Sequence, residues 1–300
     1  MSPPGRPKGE SPSAQREGSP VNQAAEDEAL AQFRRLIERA PPPLLDCAAH
    51  VPLYADPHCE PHRVVCTVRQ WGEKLAARVP ADSSPQHRLR LLNHFFFAEL
   101  AFRANEAEYY EAANSHLHRV IERRTGIPIS LSLVYMELGR AAGLKLHGVG
   151  FPGHFLVKLL THDGALVIDV FAGGQALSAE ALRARLAALA HGGEVLPLEI
   201  HLRVASERDI LARLLRNLKA IHLRSGQTAA ALQVQQRLVA LRPDDADERR
   251  DRGLLFAQLE CPRAAAEDFL AYLSMHPAPP DARQIRERLD QMQRAARRLN

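Results

Sequence analysis

Residues 114–132, NSHLHRVIERRTGIPISLS, decide the fold, because they read as one helix, a turn and the start of a second helix. Asn114 and Ser115 are good helix caps, and Leu117, Val120 and Ile121 recur at helical spacing, which predicts a helix over 115–124. Gly126 can end that helix in the left-handed conformation. Pro128 suits the first turn of the next helix, where its missing N–H would be unpaired anyway. Leu131, Val134, Tyr135, Leu138 and Ala142 line the inner face of this second helix, and Gly143 closes it. Ser130 then sits in the first turn, where free amides and the positive end of the helix dipole favour negative charge.

Beyond Gly143 the periodicity changes. Residues 144–151, 154–160 and 165–171 are short apolar runs punctuated by Gly148, Gly150, Pro152-Gly153 and Asp163-Gly164, and they predict three strands, the last two a hairpin. If 161–164 forms the loop, Leu160 pairs with Ala165 and His154 lies one diagonal step from Asp169, roughly 7–8 Å between backbones. A two-residue Asp163-Gly164 loop would keep the two on one face but one step further apart. An imidazole and a carboxylate can meet at such a spacing, the carboxylate fixing the tautomer. A helix over 178–190 with Ser178 as its N-cap and His191-Gly192-Gly193 as its end completes the unit. Helices clustered before a small antiparallel sheet indicate an α+β class.

Upstream, residues 1–26 are rich in Pro, Ser, Gly and Gln and predict a disordered leader. Order is expected from Asp27, in a helix stopped by Pro41-Pro42-Pro43. Further helices are expected over 64–78, with Trp71, and over 84–104, with Leu89, Leu92, Phe96, Leu100 and Phe102 as core. Downstream, Pro243 and Pro277 stand 34 residues apart, and at the same offset Ala231 matches Ala265, Leu238 matches Tyr272 and Lys219 matches Gly253. That period suggests tetratricopeptide units at 212–245 and 246–279, with a capping helix over 281–299. A helical hairpin tail of another kind stays open as the simpler alternative.

The quoted stretch resembles the bacterial SirB-type invasion-regulator family, as do 148–157 (GVGFPGHFLV), 169–174 (DVFAGG), 92–96 (LNHFF) and 102–105 (FRAN). The resemblance implies a helix-rich transglutaminase-like (papain-like) domain at 27–200 with a small antiparallel sheet, followed by an all-α tetratricopeptide-repeat tail at 205–300. Transglutaminase-like enzymes use Cys, His and Asp. His154 and Asp169 match the last two, but Pro128 stands where the cysteine would be, with Ser130 the nearest hydroxyl and Ser132 the next. Two functions follow. One is a non-catalytic binding or scaffold protein, a pseudoenzyme whose pocket and repeats recognise a protein or peptide. The other is an active amide hydrolase or acyltransferase in which Ser130 attacks, His154 is the base and Asp169 orients it. Asn114, Arg123, Pro128 and Ser132 are candidate binding residues around that pocket.

Composition excludes more than it names. Lys+Arg 39 against Asp+Glu 35 gives a net charge of +4, and no phosphate-binding glycine loop or dinucleotide fingerprint is present. The last twenty residues are arginine-rich but diluted by Asp281, Glu287 and Asp290, so a solvated face is expected rather than a nucleic-acid partner. Four cysteines are too few for a disulfide framework, and a cytoplasmic protein is expected. Cys59, His58, His62 and Cys66 match no common zinc spacing, so no metal and no cofactor is expected. A membrane partner is not expected either, and the oligomeric state stays open.

Overall fold

The computed structural model describes residues 20–162, 164–190, 196–276 and 278–298. Helix α1 (Pro20–Ile37) begins inside the expected leader, because Glu26 reaches across to the Gln233 side chain and Ala29, Leu30 and Phe33 are buried. Helices α2 (Leu44–His50) and α3 (Pro61–Ala76) follow, joined by a 3-10 turn at Val51–Tyr54. The single helix expected over 84–104 is instead α4 (Pro85–Asn93), a π-helical turn at His94–Glu99 and a reversal at Ala101 with φ 56°. The reversal lets Phe102 stack on Phe96 with ring centroids 4.5 Å apart, an arrangement one continuous helix could not produce. Strand β1 (Arg103–Ala104) then pairs in parallel with β2 (Thr125–Gly126), on either side of α5 (Leu117–Arg123).

Helix α6 (Pro128–Ala141) is buried on every face from Pro128 to Met136, with Leu131, Val134, Tyr135 and Leu138 fully enclosed, and its last turn reaches the surface at Arg140 and Ala141. A helix apolar all round belongs inside a core. Gly139 makes room for the sheet, since a Cβ there would stand 2.2 Å from Leu146 Cδ1. The sheet is a four-stranded antiparallel meander: β3 (Leu146–Val149), β4 (Leu156–Thr161), β5 (Gly164–Asp169) and β6 (Gln175–Leu177). The pairing of Leu160 with Ala165 follows the expected register, and Thr161 also pairs with Gly164. Strand β6 was not foreseen; its three residues carry no alternation long enough to read. Helix α7 (Ala179–Ala190) is capped by Ser178, whose Oγ accepts from Ala181 N–H; its expected end at 191–193 lies outside the described residues.

After the short α8 (Leu198–His201) come α9 (Glu207–Arg224), α10 (Thr228–Leu241), α11 (Ala246–Gln258), α12 (Pro262–Met275) and α13 (Ala282–Arg298). Both ends of α10 and α12 are 34 residues apart. Ala231 and Ala265 are fully buried at equivalent places, as are Leu238 and Tyr272. A Cβ on Gly253 would come within 2.8 Å of Phe269, so the glycine permits the α11–α12 approach. Ile285 and Leu289 seat α13 on α12. Pro277 and Leu299 of the expected pattern lie outside the described residues.

The first repeat is not a detached tail. Ile210, Leu211, Leu214, Leu215 and Leu218 of α9, with Val234 and Leu238 of α10, belong to the same buried cluster as α6. A polar seam accompanies them. The Tyr54 hydroxyl meets His116 and His222, and His222 Nδ1 meets the Gln227 amide oxygen. Burial and the neighbouring His118 and His222 push His116 down to about 3, so it stays neutral there. Arg237 is fully buried over the Tyr54 ring, and burial lowers it to about 10. Because the core is shared, Leu215→Ala is expected to cost about 2–5 kcal/mol. Chemical denaturation should show that loss in one transition covering the whole chain, not in a separately melting repeat segment.

Candidate functional site

His154 and Asp169 come together. Asp169 ends β5 almost fully buried, while His154 sits in the bend before β4 rather than on a strand, after the Pro152-Gly153 turn with Gly153 at φ 67°. The bend brings the ring closer than the strand diagonal would, and His154 Nε2 lies 2.9 Å from Asp169 Oδ1. The second carboxylate oxygen accepts from Arg185 of α7 at 3.0 Å, and Oδ1 also accepts from Ala172 N–H at 3.1 Å. Burial alone would raise this carboxyl. The hydrogen bond and charge of His154, then Arg185 and Ala172, outweigh it and hold Asp169 below the usual carboxylate range.

The bend carrying His154 is fastened from the repeat side. Arg213 of α9 donates to the carbonyls of Phe151 (2.9 Å) and His154 (2.7 Å). Sequence reading missed both arginines. Arg185 lies on a helix whose other polar residues face solvent, and Arg213 lies within a stretch that reads as repeat. Only the fold brings either one to the site. Aromatic rings extend from it: Phe171 stands edge-on to His154 at 6.1 Å, Tyr109 to Phe171 at 6.1 Å and Tyr110 to Tyr109 at 5.2 Å. Arg224 of α9 covers the Tyr110 ring at 3.9 Å, and Tyr110 is 59% exposed.

The residues at the start of α6 serve a different purpose. The Ser130 hydroxyl is fully buried, donates to the Asn114 carbonyl at 2.5 Å and accepts from Ile127 N–H at 3.1 Å. Among the described residues no hydrogen bond links Ser130 or Ser132 to His154, and the buried Ser132 hydroxyl has no partner. Asn114 is not the cap of α5; His116 holds that position. Asn114 is buried, accepts from Asn105 Nδ2 at 2.9 Å and donates to the Glu108 carbonyl at 2.6 Å, closing the loop before the helix. Gly126 does not end α5 either. Arg124 takes the left-handed conformation, and Gly126 enters β2, where a Cβ would meet Ser130 Oγ at 2.7 Å. Arg123 pairs with Glu111 at 2.8 Å, and Pro128 is buried at the first turn of α6. Cys47 and Cys59 are buried, with their thiols pushed up by burial to about 12 and about 11. That is the opposite of activation.

Comparison with known proteins supports this architecture. The transglutaminase-like superfamily profile matches residues 62–216 and a tetratricopeptide-repeat profile matches 218–290. A UPF0162 protein of Xylella fastidiosa is 38% identical over 225 residues, covering 74% of this chain and 80% of the relative. A UPF0162 protein of Pseudomonas aeruginosa is 32% identical over 261 residues, or 85% and 93% of the two chains. The chain belongs to the UPF0162 family. Mouse F-box only protein 21 is 40% identical over 83 residues, which is 28% of this UPF0162 chain and 13% of that protein. The shared architecture is a transglutaminase-like domain followed by tetratricopeptide helices, and the UPF0162 name stands where the SirB-type name was expected. No helix among the described residues of this UPF0162 protein is long and apolar enough to cross a membrane.

A lowered carboxyl contributes stability above its unfolded pKa of about 3.9 and loses it as pH falls through the folded value. Asp169→Asn is therefore expected to flatten the acid loss of stability below about pH 4, measured by urea denaturation across pH 3–7. At pH 7 the same variant should cost about 1–3 kcal/mol, since Arg185 and His154 lose their partner.

Proposed function

We propose that this chain is a non-catalytic transglutaminase-like scaffold that recognises a protein or peptide through the His154 pocket and the adjoining repeat surface. The observation that carries the reading is the Ser130 hydroxyl, buried and bound to Asn114 O and Ile127 N–H at the point where a nucleophile would be needed. A serine must be delivered to a base within hydrogen-bond reach before it can attack, and here its hydrogen bonds tie a helix end instead. His154 and Asp169 then act as a recognition pair. The carboxylate orients the imidazole through its Nε2 edge, while the candidates Asn114, Arg123, Pro128 and Ser132 are engaged at the start of α6 and the loop before α5 rather than around the ring.

The row from His154 through Phe171 and Tyr109 to Tyr110 and Arg224 supports the second half of the reading. It runs continuously from the pocket to the first repeat helix, and rings offering an apolar face beside a polar edge are the common anchors of peptide recognition. Tetratricopeptide helices stack into extended binding surfaces. The proposal takes the protein to be cytoplasmic, the kinship to be SirB-type, and the two units to extend over 27–200 and 205–300.

A fluorophosphonate probe is expected to leave the full chain no more labelled than its Ser130→Ala variant. Stoichiometric labelling that disappears in Ser130→Ala would overturn the scaffold reading in favour of a serine hydrolase. Ser130→Ala should instead lower stability by about 0.5–2 kcal/mol, as loss of a helix cap does. Selection of a displayed random peptide library should enrich sequences on the wild type that Tyr110→Ala fails to retain. Equal enrichment on both would remove the aromatic row from the binding surface.

A further inference from the structure

We propose that the cleft between α3 and α5, away from the His154 pocket, binds a small oxyanion, a carboxylate or phosphate group, through Arg124. The backbone there is unusual. Arg124 has φ 55°, in the left-handed region that glycine enters freely and a side chain enters only at a cost. Its carbonyl accepts from Arg103 N–H at 2.9 Å, which joins β1 to β2, but that bond would form equally well with glycine in place. Strain retained at a non-glycine residue points to a use for the side chain.

The side chain is held in place yet unpaired. The guanidinium lies over Trp71 at 4.2 Å and against Phe102 at 5.3 Å. Its Nη1 is buried without a hydrogen-bond partner. Partial burial lowers its proton affinity below the ordinary arginine range. The cleft it lines has a volume of about 510 Å³, within the range of small-molecule sites. The other arginines on the wall are already paired, Arg63 with Glu60 at 3.4 Å and Arg119 with Glu122 at 2.9 Å. Among the described residues Arg124 is thus the lining arginine left without a carboxylate. A guanidinium fork fixed by aromatic rings matches the planar or tetrahedral oxygens of an oxyanion. Its sequence neighbour Arg123 could not take this role, because Glu111 already holds it at 2.8 Å.

Trp71 is the only tryptophan of the chain, so its fluorescence reports directly on the cation stacked against it. The full chain is to be titrated with sodium phosphate and, separately, sodium acetate, each at fixed ionic strength against sodium chloride. A saturable change is expected with at least one anion, and the one with the lower midpoint identifies the group. Arg124→Gly fits the left-handed backbone and should shift that midpoint at least tenfold. If its far-UV circular dichroism departs from the wild type, Arg124→Gln is read in its place. A wild-type response that fails to saturate with both anions overturns the proposal, as does an unchanged midpoint in the variant read.

Discussion

A helix whose first turn is buried on every side has no water at its N-terminus, so its first-turn amides and the carbonyls of the approaching loop must be satisfied by protein. Helix α6 is in that position, and most of the local structure follows from it. Pro128 removes one donor. Ser130 takes up Ile127 N–H and hands its own proton to Asn114 O, and the Asn114 side chain ties down the loop through Asn105 and Glu108. The same place is where the sequence resemblance leads one to expect a nucleophile. In this chain it is filled by groups whose hydrogen bonds hold the helix in place.

What the rest of the domain supplies is a second set of constraints around Asp169. A carboxylate this deeply buried needs more than one partner, and it receives them from three elements: His154 in the bend before β4, Ala172 after β5 and Arg185 on α7. The pair that looks catalytic in outline is therefore also a structural junction. Removing His154 would leave Arg185 and Ala172 to hold the buried carboxylate, whereas removing Asp169 would take the shared partner from both His154 and Arg185.

Much of this was legible in the residues. Pro128, the apolar positions of α6, the 160–165 register and the 34-residue offset of the repeats are local patterns, and local patterns are what periodicity reports. The failures share a cause. Phe102 reads as one more residue of a helical face until the chain turns back to stack it on Phe96. Gly126 reads as a helix stop, although Arg124 makes the stop and Gly126 is needed small for Ser130. Arg185 and Arg213 look like solvent-facing charges because their partners are 16 and 59 or more residues away. In each case a tertiary contact overrode a propensity that was itself correctly read. The leader behaved the same way, its last residues becoming helix where α10 offers Gln233.

Arg213 links two regions usually thought of as separable. Its backbone rides on α9, where the transglutaminase-like match ends at residue 216 and the tetratricopeptide match begins at 218, and its guanidinium holds the carbonyls of Phe151 and His154. The placement of α9 thus bears on the backbone that carries the imidazole. Were binding at the imidazole to depend on that backbone, reciprocity would make it sense a partner that displaces α9, and by the same factor. A cut made before α9 would leave the His154 bend with its anchor removed.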